Sequence, residues 1–283
     1  MFELLWDALL DALIDGVKLL PFLFLTYFAM EWLEHKAGKK VNVWVSKSGK
    51  FGPLIGGVLG VVPQCGFSAA ASNFYAGRVI TLGTLLAIYL STSDEMLPIL
   101  ISHQASPALI LKILLAKMVI GVAAGFLVDL CYRKKQPEHD HIHELCEHEH
   151  CACEKGILKS ALVHTVKIGL FILVIGFGLN LLLEFGGEEM LASLLKERTI
   201  LGPLLSGLAG LIPNCGSSVV ITELYLEGAL GVGAMLAGLL VNAGVGLLVL
   251  FKVNPDIKEN MMVLSLLYLI GAAVGIGASF LLG

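Results

Sequence analysis

Two cysteines stand in the same setting at distant points of the chain. Cys65 lies in Pro63-Gln64-Cys65-Gly66 and Cys215 in Pro213-Asn214-Cys215-Gly216, 150 residues apart. Proline lacks the amide proton and clashes with the carbonyl four residues back, so an apolar helix should break at each motif. The residues from the glycine onward should then open a second half-helix, whose unpaired amide protons and positive dipole end face the cysteine. A thiol so placed is acidified, and two such thiolates suit a soft metal ion or trivalent arsenic. The same helix ends could hold a small anion instead. Gln64 and Asn214 add amides to the two tips, and Ser68, Ser217 and Ser218 add hydroxyls. With Gly66 and Gly216 they form the core of the expected substrate-binding set. Either cysteine alone reads as a small filler at a tight crossing; the pairing argues for a ligand role.

A second candidate is Ser91-Thr92-Ser93-Asp94-Glu95, acidic and hydroxylated within an apolar run. Ionisable groups inside a membrane span are costly and by default mark an ion or proton path. Asp94 is expected to contact the substrate, as an oxygen ligand for a hard cation, and to carry protons. Glu95 is a coupling candidate too, although near the end of the run it could simply be solvated. The matching stretch of the second half is Val241-Asn242-Ala243-Gly244, where only Asn242 stays polar. Glu223, aligned with Asn73 one turn past the tip, is a further proton-coupling candidate, and a headgroup-level position is its plainer reading. Third, Glu138 to Cys153 reads EHDHIHELCEHEHCAC. Its His139, His141, His143, Cys146, His148, His150, Cys151 and Cys153 suit zinc, copper, nickel or cobalt, and the thiols suit arsenic. Their spacing matches no zinc finger, so a flexible chelating linker outside the membrane is expected, able to deliver or sense an ion. No tightly bound cofactor is expected.

The elements that must position these residues come from a repeat. Gly52 to Gly66 reads GPLIGGVLGVVPQCG and Gly202 to Gly216 reads GPLLSGLAGLIPNCG; without a gap, residues 51–100 and 201–250 share 16 identities. Ile120-Gly121 and Gly125 still match Ile270-Gly271 and Gly275. The chain is one unit written twice. Of its 283 residues 57% are hydrophobic and 15% charged, against roughly 45–50% and 25% in soluble domains. The mean hydropathy is +0.85, and the apolar runs have helix length without strand alternation. These features specify an all-α integral membrane protein. The 32 glycines suit close helix packing. Asp7, Asp11 and Asp15 replace a basic leader, so no signal peptide is expected. The net charge of −4 singles out no partner, and six scattered cysteines make no disulfide framework.

Full spans are expected near 17–32, 79–101, 105–130, 157–183, 229–251 and 261–282, and half-helices near 52–62 and 66–77, with a second such pair in the repeat. A half-helix of ~12 residues covers ~18 Å, too little for a ~30 Å hydrocarbon core. Each pair is therefore a re-entrant hairpin or one broken crossing. Hairpins leave Lys36, Lys39, Lys40, Lys47, Lys50, Arg78, Arg133, Lys134, Lys135, Lys252 and Lys258 on one side, which the positive-inside rule makes cytoplasmic. Each half then has an odd number of crossings, so the halves are inverted repeats whose tips meet near the bilayer midplane. The expected organisation is a first transmembrane repeat over 1–130, a His/Cys-rich cytoplasmic linker over 131–156 and a second repeat over 157–283.

The doubled GP…PQCG and GP…PNCG units, the STSDE patch and the His-rich middle loop resemble the ten-transmembrane heavy-metal exporter family, also labelled arsenic-efflux or manganese-transporter permeases. The resemblance covers nearly the whole chain, and the two Pro-x-Cys-Gly tips are its most specific part. It implies efflux of a metal or metalloid across the inner membrane. The two labels differ chemically, since manganese prefers oxygen and imidazole whereas arsenic prefers sulfur. There is no Walker-type phosphate loop, so a secondary transporter is expected rather than an ATP-driven pump or another enzyme. A small-anion carrier and a membrane-anchored metal sensor or chelator are the alternatives. Expected partners are the bilayer, the transported ion or small solute, and a second copy of the chain in a homodimer; nucleic acid is not.

Overall fold

A computed structural model describes residues 51–62, 65–93, 96–132, 200–214 and 216–282, with single helical positions within 10–28 and 158–177. Pro63, Gln64, Asp94, Glu95, Cys215, the Cys65 side chain and the 139–153 tract lie outside the described residues. All regular structure among the described residues is helical. In the first half α1 is Gly52–Gly60, α2 Cys65–Ala76, α3 Leu82–Ser91, α4 Met96–Ser102 and α5 Pro107–Cys131. In the second, α6 is Leu201–Gly210, α7 Gly216–Leu226, α8 Val232–Val241, α9 Gly246–Val253 and α10 Ile257–Leu282. The helices start where local chemistry allows. The Thr81 and Ser106 side chains accept the amide protons of Thr84 and Leu109 at the heads of α3 and α5. Asp256 accepts those of Lys258 and Glu259, which starts α10 four residues before the expected 261.

The expected half-helices near 52–62 and 66–77 are α1 and α2. The expected full spans 79–101 and 229–251 are a correction: among the described residues helix stops at 92–93 in the first and at 242–245 in the second. In the first, Ser91 Oγ donates to Ala87 O and Thr92 Oγ1 to Ile88 O, so hydroxyls compete for the last carbonyls of α3. In the second, Asn242 turns extended at ψ 103°. Its Oδ1 accepts Gly244 N at 2.8 Å, and Gly244 takes φ +54°, a conformation glycine adopts freely.

Four helical stretches among the described residues are long and apolar enough to cross a membrane: Leu82–Ser102, Pro107–Cys131, Val232–Val253 and Ile257–Leu281. The two broken ones are 75% and 89% buried and the two unbroken ones 28% each, so the broken spans form the centre. Leu111, Val119 and Leu127 on α5 and Met261, Leu269 and Phe280 on α10 are exposed, an apolar surface suited to lipid. Both halves pack alike. Helix α3 lies against α1 and α5, and α8 against α6 and α10. A Cβ on Gly125 would come 2.5 Å from Gly83 O, and one on Gly275 would come 2.5 Å from Gly233 O. Lipid tails are as apolar as leucine, so such small-residue contacts, which let backbones approach, supply much of the attraction between helices. The halves also exchange partners: α2 packs on α9 of the other half, and α7 packs on α4.

Candidate transport site

The interruption at 242–245 borders both tips. On one side Gly246, at the head of α9, is backed against Ser68, whose Cβ lies 2.8 Å from where a Gly246 Cβ would be. On the other, Gly210 closes α6 against Asn242, whose amide nitrogen would be 3.3 Å from a Cβ at 210. The interruption at 92–93 is tied to the end of the first half-helix by Ser93 Oγ, which donates to Val61 O at 2.7 Å. Gly66, Ser68, Asn214, Ser217, Ser218 and Asn242, all of the expected substrate set, are buried there, and Gly216 is half-buried. Glu223 is exposed on α7, nine residues or ~13 Å of helix beyond Asn214. Gln64, Cys65, Asp94, Glu95 and Cys215, of the remaining expected set, fall on positions or side chains outside the described residues.

The second tip carries its own cap. Asn214 Oδ1 accepts the Gly216 amide at 3.4 Å, and Ser217 Oγ donates back to Asn214 O at 2.9 Å. The asparagine therefore covers part of the helix end that an anion would otherwise use. Asn242 Nδ2, in contrast, is buried with no hydrogen-bond partner among the described residues, and so is Ser206 Oγ on α6. An unmet buried polar group costs about 1–3 kcal/mol.

Residues that the sequence reading passed over organise the centre. Lys117, the eleventh residue of α5, is 1% exposed. Its Nζ donates to Thr92 O at the end of α3 and, at 2.6 Å, to Leu239 O near the end of α8. One ammonium thus bridges the carbonyl ends of two helices, one from each half, where both dipoles are negative and favour a cation. A hydroxyl chain joins α2, α3 and α9. Ser72 Oγ is 2.7 Å from Tyr89 Oη, 2.8 Å from Ser68 O and 2.7 Å from Gly246 O. Serine has a single proton, which these two carbonyls must share, so Tyr89 donates to Ser72. Lysine within the run Leu111 to Ile120 was a readable signal, since a charge at mid-span marks function by default. Its aligned partner in the second half, Leu267, is fully buried apolar core, so the repeat itself concealed it.

The chain was compared with known proteins. A family model described as "Putative, 10TM heavy-metal exporter" matches residues 2–188 and 180–280, nearly the whole chain. The chain belongs to this family. Neither the curated proteins nor the solved structures compared with it gave a match. The family description and the apolar helices make this a membrane protein of an exporter family. In this family member no three His, Cys, Asp or Glu side chains gather among the described residues. Around the two interruptions the described polar groups are amides, hydroxyls, carbonyl oxygens and the Lys117 ammonium.

Proposed function

We propose that the protein is a secondary transporter that exports a heavy-metal ion or metalloid, a Mn/Zn-type divalent cation or arsenite, across the cell inner membrane by alternating access at a midplane site. The observation that carries this reading is the pair of interruptions in the two most buried spans, at equivalent places in the repeat, with one buried lysine bonded to carbonyls of both halves. Broken helices at matching positions mark transporter binding sites. The cargo contacts are Gln64, Cys65, Gly66, Ser68, Asp94, Asn214, Cys215, Gly216, Ser217, Ser218 and Asn242, with Asp94, Glu95 and Glu223 as candidates for ion coupling. The His/Cys tract at 139–153 delivers or senses the ion from the cytoplasm.

Two contacts support re-entrant hairpins and hence inverted repeats. Arg78 pairs with Glu259 at 2.7 Å. Ala105 and Leu109 join the same cluster as Leu226 and Ala229. With hairpins, Arg78 and Glu259 both lie inside and 105 and 229 both outside, whereas single broken crossings would separate each pair by a bilayer. A small-anion carrier is the second reading, favoured by the buried Lys117 ammonium and the unmatched Asn242 Nδ2. Against it, the lysine already donates to two carbonyls and Asn214 caps α7.

The test is uptake into everted vesicles of Mn, Zn, Co, Ni, Cd and arsenite, each alone, with Cys65→Ser and Cys215→Ser alongside. Cargo that enters with wild type and not with empty vesicles supports export, and loss in both cysteine variants makes the thiols ligands. Transport of an anion with no response to any metal or arsenite would replace this reading with the second.

A further inference from the structure

Arg78 follows α2 in the first half and Glu259 lies in the first turn of α10 in the second, and their side chains meet across the halves, Nη1 to Oε2 at 2.7 Å. The guanidinium also lies over the Tyr75 ring, 5.6 Å from its centre, a favourable place for a cation. Arg78 has φ +58°, a left-handed conformation that glycine takes freely, and its aligned partner Gly228 has φ +74°. The first half thus holds an arginine in a turn that the second builds with glycine, and such an outlier points to a task for the side chain. Burial differs between the two ends as well. Tyr75, Val253 and Asn254 are buried, whereas the aligned Tyr225 is half-buried and the aligned His103 and Gln104 are exposed. The end with the ion pair is packed shut, and the equivalent end, where Leu109 stands in place of Glu259, is looser.

We propose that Arg78 and Glu259 form a latch: while paired they hold the cytoplasmic end of the site closed, and the site opens inward when they part. This rests on the alternating-access reading with hairpins, which places both residues on the cytoplasmic side. The two partners are mounted differently. Asn254 Nδ2 donates to Asn260 Oδ1 at 2.7 Å and Asn260 Nδ2 to Asn254 O at 3.0 Å, which ties the end of α9 to the head of α10 that carries Glu259. Arg78 reaches over from a turn closed by its own amide, which donates to Tyr75 O at 2.9 Å. The side chains of Arg78 and Glu259 are 26% and 14% exposed. Water can therefore replace each partner as the pair opens, and parting them costs far less than parting two fully buried charges.

The test uses the full chain with its native cysteines, in membrane vesicles of each orientation, and a charged maleimide that does not cross the bilayer. Peptide mapping by mass spectrometry reads the labelling rates of Cys65 and Cys215 at the two tips, while the exposed Cys131 at the end of α5 reports vesicle orientation. Glu259→Gln keeps the shape and drops the charge, and Arg78→Gly suits the left-handed turn. Each should raise tip labelling from the cytoplasmic face about fivefold, the scale of a partly exposed ion pair, and lower it from the outer face. The exchanged pair, Arg78→Glu with Glu259→Arg, should return both rates toward wild type. Unchanged rates in folded single variants would overturn the latch. So would an equal rise from both faces, which would make the pair a structural tie, or a rise from the outer face alone. Wild-type tips reached from neither face while Cys131 reacts would instead remove the alternating-access reading, and the latch with it.

Discussion

Gly275 and Gly277 lie two residues apart on α10 and should answer oppositely to one added methyl group. A Cβ at 275 would sit 2.5 Å from both Ala237 Cβ and Gly233 O, while one at 277 would meet nothing within 4 Å. Ordinary carbon contacts need about 3.5 Å, so Gly275→Ala forces α8 and α10 apart by about 1 Å. Overpacking of that size costs about 1–3 kcal/mol. At roughly 2–4 °C per kcal/mol for a chain of this length, the apparent Tm should fall by about 2–12 °C. Gly277→Ala should hold steady or gain up to about 1 kcal/mol from reduced backbone freedom. Helix α8 also carries Leu239, so the shift at 275 should displace a carbonyl from Lys117 and slow transport more than stability alone explains. The assay is the fraction of detergent-purified protein that stays monodisperse after heating, followed by transport at a temperature where both variants are folded. Equal melting of the two variants would refute the close-packing argument. Normal transport by a destabilised Gly275→Ala would refute its link to the site.

Three further outcomes follow from the same geometry. In a background freed of native cysteines, Arg78→Cys and Lys258→Cys should react with an impermeant thiol reagent from one side of the membrane and His103→Cys from the other; reaction of the first two from opposite faces would remove the hairpins. Tyr89→Phe deletes the donor to Ser72, so it should cost about 1 kcal/mol and leave the protein folded, read as a small fall in apparent Tm; no change would mean that the hydroxyl chain does not couple α3 to α2 and α9. Deletion of residues 139–153 should change the apparent affinity for the ion while flux at saturation persists, measured in vesicles; complete loss of flux would make the tract the working part and the membrane bundle its anchor.

Much of the architecture was legible because it was written twice. Pro213 follows the end of α6 for a reason visible in one residue, and the glycines that repeat at 125 and 275 are those that admit a neighbouring backbone. The interruptions at 92–93 and 242–245 carry no proline. They go with hydroxyls bonding back to α3 in one half and with Asn242 and Gly244 in the other, two unlike sequences at aligned places, so hydropathy did not expose them. Lys117 was hidden differently. In a run dominated by leucine and isoleucine two lysines, Lys112 and Lys117, still leave the mean apolar, and the partners of Lys117, Thr92 and Leu239, receive it through main-chain oxygens that any residue type possesses.

The pairing of Lys117 with an aligned Leu267 has a consequence for the cycle. A carrier made of two interchangeable halves would rest with equal ease toward either compartment. Here one half supplies the charge and the other a carbonyl that holds it, so under the proposed alternating-access cycle the inward-open and outward-open forms would differ in energy even with nothing aboard. An unlike pair at one aligned position would thus help to give such a carrier a resting side.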